Sequence, residues 1–187
     1  GCGRAPEFDA ACAYHSGLHK PVIAAMNGAA AGVGLALACF MDLRFAAAGA
    51  RFTTAHGKLN LPAEFGLSWL LPRMVGLTRA AELLLSSRVF DAEEALTLGI
   101  VNAVYPPEEV LPRTYDYVAN LLQTVAPASL TQTRWQMYQD LHRSAAESVS
   151  ASETLVAAMM QDPYYREGVA AFLEKRLPRW GAPDPKA

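Results

Sequence analysis

The sequence has little cysteine, little charge and no excess of either charge sign. Its 187 residues include three cysteines, and only 18% of them are charged, with a formal net charge of −2 at pH 7. An odd number of cysteines without a C-x-x-C spacing argues against a disulfide framework and against a structural zinc site. A near-neutral chain also lacks the basic surface that nucleic-acid binding needs. We therefore expect neither a bound metal nor a nucleic-acid partner.

The sequence also has no convincing membrane or export segment. No basic region followed by an apolar run opens it, and unpaired cysteines are typical of a reducing compartment. Residues 21–41 carry no charge and are long enough to span a bilayer. They consist largely of Ala and Gly, and the turn dipeptide Asn27-Gly28 interrupts them. We expect a cytoplasmic protein with no membrane contact.

What the sequence does contain is an alternation of strand and helix signals up to residue 106. Residues 22–26 and 43–47 are short apolar runs with β-branched or aromatic members, which predicts buried strands. A helix that opens at Gly32-Val-Gly34 separates them. This β-turn-α-β order predicts a sheet covered by helices. Further signals are a strand at 51–54, a loop at 56–62, helical pieces at 67–71 and 80–85, and a strand at 100–105.

Helix-terminal and helical patterns define the remainder. Asp91-Ala-Glu-Glu94 predicts a helix start in which Glu94 reaches back to the Asp91 amide, and that helix ends at Gly99. Beyond Pro107, helical spacing with polar faces predicts helices alone, over residues 108–124, 127–143, 145–160 and 163–175. The chain therefore divides into an α/β layer, residues 1–106, and a helical tail, residues 107–187.

The glycine-rich turn before the first predicted helix has three interpretations. A dinucleotide fingerprint needs a third glycine where Leu37 stands, so that signal is weak. Close packing of strand against helix would also require small residues. Alternatively, the unsatisfied amides at the helix N-terminus could hold a developing oxyanion, and glycines would let a substrate carbonyl approach them.

Glu64 is the most informative carboxylate. It is the only ionisable residue in the fourteen residues from Leu59 to Pro72. A carboxylate in apolar surroundings loses hydration, which raises its pKa and suits it to act as a general base near neutral pH. The alternative is a side chain that turns to solvent or caps the helix beginning near Gly66.

Taken together, these segments resemble the crotonase superfamily, which includes enoyl-CoA hydratases and isomerases. The resemblance runs over about residues 19–178. It is carried by the following segments: His19-Lys-Pro-Val-Ile-Ala-Ala-Met-Asn-Gly-Ala-Ala-Ala-Gly-Val-Gly34, Arg51-Phe-Thr-Thr54, Leu71-Pro-Arg-Met-Val-Gly76, Ala92-Glu-Glu-Ala-Leu-Thr-Leu-Gly-Ile-Val-Asn102 and Phe172-Leu-Glu-Lys-Arg-Leu-Pro178.

The resemblance implies an α/β fold, a crotonase-like spiral of ββα units followed by a C-terminal helical oligomerisation region. It implies an acyl-CoA thioester as substrate, with coenzyme A as part of the substrate and no separate cofactor, and homotrimers or hexamers. Residues 1–106 would be the C-terminal part of the spiral core. The first strands, and the Ala/Ser-x-Gly-x-Asp pattern that supplies a second oxyanion amide, are absent from these residues. Either these residues are the C-terminal part of a longer product, or the upstream part was removed or resides elsewhere, and we expect the 187 residues alone to lack a complete site.

The resemblance also assigns roles within the catalytic site. The Val33 amide, between Gly32 and Gly34, matches one donor of the oxyanion hole. The two glutamates of hydratases match Ala36 and His56, so ordinary hydration is disfavoured. Glu64 matches the base of one group of Δ3,Δ2-enoyl-CoA isomerases, in a Leu-x-x-Glu-x-Gly context, and isomerisation is favoured. The alternatives are hydration, thioester hydrolysis, decarboxylation, or a non-catalytic acyl-CoA-binding subunit.

Several further residues are candidate substrate contacts. His56 could form a polar wall or act as a substitute acid. Phe65 and Trp69 could line a greasy acyl pocket, but they could equally belong to the core. Phe172 and Lys175 match positions that contact the adenine and phosphates of coenzyme A in relatives, and the alternative is a plain amphipathic helix with a solvated lysine.

Overall fold

The structure is a computed structural model that describes residues 12–181. Its contacts divide the chain into two compact units, residues 1–115 and 116–187. The domain boundary after residue 106 stays a prediction. None of the helices within the described range is both long and apolar enough to cross a membrane.

The first unit contains a parallel three-stranded sheet. Its strands are β1 (Ile23–Met26), β3 (Leu43–Ala47) and β6 (Ala103–Tyr105) in the order β1-β3-β6. The two strands predicted first are confirmed. The third is shorter than predicted, because the Ile100 and Val101 amides bond to the Ala95 carbonyl, at 2.8 and 3.3 Å, and so extend a helix end instead. This sheet is buried on most of β3, as a parallel sheet requires.

The strand predicted at residues 51–54 is confirmed over Arg51–Thr53, but the second, smaller sheet to which it belongs was not predicted. It consists of β2 (Ala30–Ala31), β4 (Arg51–Thr53) and β5 (Phe90–Asp91), with β4 central, parallel to β2 and antiparallel to β5. Two of its strands are only two residues long, too short for a period-two pattern to show. Packing of the Phe52 and Phe90 rings, 5.8 Å apart, joins β4 to β5.

Four α-helices lie entirely within the described part of the first unit, residues 12–115: α1 (Val33–Phe40), α2 (Leu67–Val75), α3 (Leu77–Ser86) and α4 (Ala92–Leu98). Helix α4 begins where predicted, since the Asp91 carboxylate accepts the Glu94 amide at 2.8 Å. The predicted reciprocal bond is wrong. The Glu94 carboxylate pairs with the Arg88 guanidinium at 2.9 Å, because a full positive charge is a stronger partner than a backbone N–H.

The helices and sheets enclose a continuous apolar core between them. Its most enclosed large side chains come from all parts of the unit: Leu35, Phe52, Leu67, Leu71, Leu83, Ile100 and Val110. The Cys39 thiol lies in this core, where burial raises its pKa to about 11 and the nearby Arg44 charge opposes the shift only in part. Cys12 and Cys39 are both free thiols. Such a buried thiol packs as a small apolar side chain.

All regular secondary structure among the described residues of the second unit is helical, as predicted. A helix that spans the division, α5 (Val110–Thr124), leads into α6 (Pro127–Gln139), α7 (Ala145–Met159) and α8 (Pro163–Glu174). Helix α7 begins with a complete capping box, in which Ser144 and Glu147 satisfy each other's amides. Helix α8 begins with Asp162 as cap and Pro163 in its first turn.

Candidate active site

The glycine-rich turn precedes helix α1, and no side chain among the described residues caps the N-terminus of this helix. Gly32 has φ = 50° and ψ = −121°, a conformation that needs glycine, and its amide bonds to the Thr53 carbonyl at 3.1 Å. Val33 follows as the first helical residue and is 45% exposed. A Cβ atom on Gly34 would meet no heavy atom within 4 Å. The first amides of this helix have no carbonyl acceptor within the helix and carry a partial positive charge.

The opposite end of α1 is fixed by a buried arginine. The Arg44 guanidinium donates to the Ala38 and Cys39 carbonyls, each at 3.2 Å, and to the Met41 carbonyl. It also donates to the Ile100 carbonyl at 2.6 Å. A cation at the negative end of a helix, bonded to its last carbonyls, stabilises both. The axis of α1, and with it the Val33 end, is therefore anchored to the parallel sheet.

Glu64 lies half-buried in the segment before α2. Its carboxylate makes no hydrogen bond or ion pair with any residue in the described range 12–181, and its carbonyl accepts the Leu67 amide at 3.1 Å. The neighbouring Gly66 packs on the end of α1, because a Cβ there would lie 3.0 Å from the Phe40 ring. The segment that contains Glu64 and Gly66 thus packs the start of α2 against the end of α1.

Asp42 and Glu64 are the only carboxylates between residues 12 and 81. The Asp42 carboxylate accepts the Val22 amide at 2.6 Å, a bond between the two residues that directly precede the paired strands β1 and β3. Glu64 is therefore the one carboxylate of this stretch that keeps its lone pairs free. A free carboxylate is what proton abstraction requires.

Residues 36 and 56 differ in what they could do. Ala36 is 0% exposed inside α1, so a methyl group fills that position. His56 is 6% exposed and opens a 3₁₀ turn, His56–Leu59, where the sequence predicted only a loop. Its ring nitrogen Nδ1 is enclosed and has no hydrogen-bond partner among the described residues. Buried polar atoms are usually paired, so this imidazole is an exception.

The two aromatic candidates beside Glu64 separate in the structure. Phe65 is exposed and holds φ = 54°, a strained angle for a bulky side chain. Trp69 packs against the core, and the Arg73 guanidinium stacks on its ring at 4.3 Å from the centroid. The core interpretation therefore describes Trp69 better. A role of either residue in substrate binding stays a prediction.

In the helical unit, Phe172 and Lys175 lie at the end of α8. Phe172 is 83% exposed, and Lys175 ends the helix with a left-handed backbone. An apolar groove of about 440 Å³ includes Phe172, Tyr165, Val169 and Trp180 in its walls. The segment after the helix is tied back by Glu167, which accepts from Arg176 at 2.6 and 3.1 Å. Contact of Phe172 and Lys175 with coenzyme A stays a prediction.

Comparison with known proteins connects this geometry to one family. Residues 7–183 match the family model described as enoyl-CoA hydratase/isomerase. A probable enoyl-CoA hydratase, EchA12 of Mycobacterium tuberculosis, is 37% identical over 164 residues, which are 86% of this chain and 57% of that protein. The crotonyl-CoA hydratase of Syntrophomonas wolfei is 38% identical over 162 residues, 85% of this chain and 61% of its own.

Two more relatives extend the comparison. The 1,2-epoxyphenylacetyl-CoA isomerase of Escherichia coli is 35% identical over 177 residues, 87% of this chain and 62% of that protein. The crystal structure of a probable enoyl-CoA hydratase/isomerase from Mycobacterium abscessus superposes with a TM-score of 0.86 at 32% identity, over 92% of this chain and 69% of that one. The chain spans about three-fifths of the length of these curated relatives.

Proposed function

Because the chain belongs to the enoyl-CoA hydratase/isomerase family, we propose that the protein containing it acts on acyl-CoA thioesters through a stabilised enolate. The Val33 amide is one donor to the thioester oxygen. It opens an eight-residue helix whose opposite end is anchored by Arg44. A preorganised donor of this kind contributes about 3 kcal/mol to transition-state stabilisation. Since the donor is a backbone group, valine supplies it as well as glycine would.

We assign the proton transfer to Glu64. In a 3-enoyl-CoA, its carboxylate removes a proton from C2, and the electron pair is delocalised into a dienolate that the oxyanion hole stabilises. Return of the proton to C4 moves the double bond from C3–C4 to C2–C3. One carboxylate therefore completes the cycle, and no water molecule is consumed. The observation that carries this assignment is the free, half-buried carboxylate of Glu64, the one uncommitted acid among residues 12–81.

Isomerisation is favoured over hydration because hydration requires a positioned water. In the hydratases that this chain resembles, two glutamates hold that water, and the matching positions are occupied here by Ala36 and His56. A buried methyl group cannot hold a water. His56 then forms a polar wall beside the acyl group. Hydration is the second candidate, since two of the three curated relatives compared above are named as hydratases.

The test follows the ultraviolet absorbance of the conjugated thioester, with the protein at its full natural length. A 3-enoyl-CoA gains absorbance if the double bond shifts into conjugation. A 2-enoyl-CoA loses absorbance if water adds. Release of free thiol would instead identify a hydrolase, and binding without turnover would identify a non-catalytic subunit. Loss of absorbance with the 2-enoyl substrate alone would replace isomerisation by hydration.

Glu64→Gln is expected to lower kcat for the isomerisation by about a hundredfold or more, the usual contribution of a positioned base, with little change in KM. Glutamine keeps the size of the side chain and removes the basic oxygen. Glu93→Gln, on an exposed face of α4, is the matched control and should turn over like the wild type. An unchanged kcat for Glu64→Gln would exclude this residue as the base.

A further inference from the structure

Ser87 lies at a junction that the proposed chemistry does not use. It follows α3, is 0% exposed and holds φ = 45°, a left-handed conformation that is rare for serine. Its hydroxyl accepts the Gly57 amide at 3.0 Å and lies 3.1 Å from the Thr54 hydroxyl. Strained residues of this kind persist only where surrounding contacts impose them, and they cluster at functional sites.

The contacts of Ser87 bracket His56 on both sides. After the histidine, the Gly57 amide is bound by the Ser87 hydroxyl. Before it, the Ser87 carbonyl accepts from the Thr53 hydroxyl at 2.9 Å, and that hydroxyl oxygen accepts the Ala55 amide at 3.0 Å. Ser87 thus holds the Gly57 amide directly, and it holds the Ala55 amide indirectly, through the Thr53 hydroxyl.

The turn at Gly57 and the Ser87 side chain are in close contact. A Cβ atom on Gly57 would lie 2.8 Å from the Ser87 Oγ. The hydroxyl therefore contacts the backbone of the turn at a position where a side chain does not fit. Ala55 adopts φ = 61° on the other side of the histidine. His56 itself has an enclosed Nδ1 without a partner, so its ring is oriented by the backbone turn and the surrounding packing, with no hydrogen bond at that nitrogen.

From this arrangement we infer that Ser87 is a positioning residue, which sets the His56 imidazole through the backbone of the His56–Leu59 turn. The inference rests on the proposed function, in which His56 is a wall of the acyl site. Ser87 touches no substrate in this scheme. Removing its hydroxyl leaves the Gly57 amide without its acceptor, and the turn that carries His56 then relaxes.

The test combines two substitutions of Ser87 with a matched control, in the protein at its full natural length. Ser87→Ala removes the hydroxyl and keeps the strained backbone, and Ser87→Gly removes the hydroxyl and the strain together. Ser86→Ala is the control, because that neighbouring hydroxyl is exposed. Both Ser87 variants are expected to lower kcat about tenfold with KM changed less than about threefold, while Ser86→Ala leaves both constants unchanged.

A double-mutant cycle with His56→Gln separates positioning from general stability. If Ser87 acts through the imidazole, its replacement costs less than about twofold in kcat once His56 is gone. The same tenfold loss in both backgrounds would overturn the inference.

A second readout does not depend on turnover. In protein with ¹⁵N-labelled histidine, the His56 ring resonances should move in both Ser87 variants and stay in place in Ser86→Ala, with the buried His15 as internal reference. Unmoved His56 resonances overturn the inference. A wild-type protein without any acyl-CoA turnover would refute the proposed function, and the resonances would still decide whether Ser87 sets the ring.

Discussion

Arg44 shows how much a single residue can decide in this fold. Its guanidinium is buried and donates to carbonyls at the end of α1 and at the start of the segment leading to β6. Guanidinium presents its donors in a rigid planar fork, which suits several carbonyls at once. Lysine, with one compact charge, could not reach the same set. The open end of α1 depends on this anchor at its other end.

Replacing Arg44 by methionine is expected to lower the free energy of unfolding by at least about 3 kcal/mol. The change leaves the carbonyls of Ala38, Cys39 and Ile100 without their charged donor, and hydrogen bonds to charged groups contribute about 1.5–3 kcal/mol each. The urea midpoint of unfolding measures the loss. Arg51→Met, at an exposed position of β4, is the control and should stay within about 0.5 kcal/mol of the wild type. Equal midpoints for the two variants would contradict the role given to Arg44.

At the residue scale, the sequence pattern indicated the candidate catalytic groups. It did not indicate the residues whose hydrogen bonds hold the backbone around the site. Glu64 stands out because no other ionisable residue lies near it in the chain, and Val33 because glycines flank it. Arg44 and Ser87 have no such local signal. The farthest partner of the Arg44 guanidinium lies 56 residues away and the farthest partner of Ser87 lies 34 residues away, and long-range contacts of this kind leave no periodicity in the sequence.

At the scale of elements, the joint between α1 and α2 decides where the Glu64 segment lies. Gly66 caps α2 with φ = 82° and ψ = 8°, and its α-carbon faces the Phe40 ring at the end of α1. No side chain fits between them. The half-buried position of the Glu64 side chain therefore depends on a close approach of backbone to an aromatic ring.

Gly66→Ala tests this joint against a matched position. Gly99 has nearly the same conformation, φ = 79° and ψ = 17°, but a Cβ there would meet nothing within 4 Å. Gly99→Ala should therefore cost only the left-handed strain, about 1 kcal/mol. Gly66→Ala should cost a further 1–2 kcal/mol or so, because its methyl group presses on Phe40. Urea unfolding compares the two variants, and equal losses would show that Phe40 yields without cost.

Elements were predictable from the sequence in proportion to their length. The helices of the second unit run for 12–15 residues, and each was predicted within a few residues of its ends. The two-residue strands β2 and β5 were missed, because each is defined by pairing with β4 and not by a pattern of its own. The 3₁₀ turn at His56 was missed for a related reason, since the Ser87 contacts hold it.

At the scale of the whole molecule, the motifs were sufficient for the fold. Matches to the family model and to solved structures confirm the crotonase superfamily and its α/β crotonase-like fold. Many short motifs each indicated the same family. The spacing between these motifs is constrained by how the helices and strands pack. The preference for isomerisation, the site residues and the trimeric or hexameric assembly stay predictions, because each depends on atoms of a substrate or another subunit.

Each of the two units contains an arginine that forms ion pairs with two carboxylates. Arg88 pairs with Glu82 and Glu94 in the first unit, and Arg176 pairs with Glu167 and Glu174 in the second. Hydrogen bonds from the guanidinium are the main cause that lowers the pKa values of the Glu82, Glu94 and Glu167 carboxyl groups; burial opposes this shift, and the arginine charge adds to it. Lowered carboxylate pKa values make the stability of the folded state depend on pH in the acidic range.

Glu167 gives this dependence its sharpest test, because the bonds from Arg176 and the Arg179 amide lower its pKa from 4.5 to about 2. The unfolded chain binds the proton first as pH falls. The stabilisation by Glu167 is therefore complete above pH 4.5 and disappears as the pH falls towards 2. Glu167→Gln should unfold at lower urea than the wild type near neutral pH, and the gap between their midpoints should close across this window. Glu153→Gln, on an exposed position of α7, should show no gap at any pH. A gap for Glu167→Gln that stays constant across the window would show that the ion pair and amide bond contribute nothing to stability.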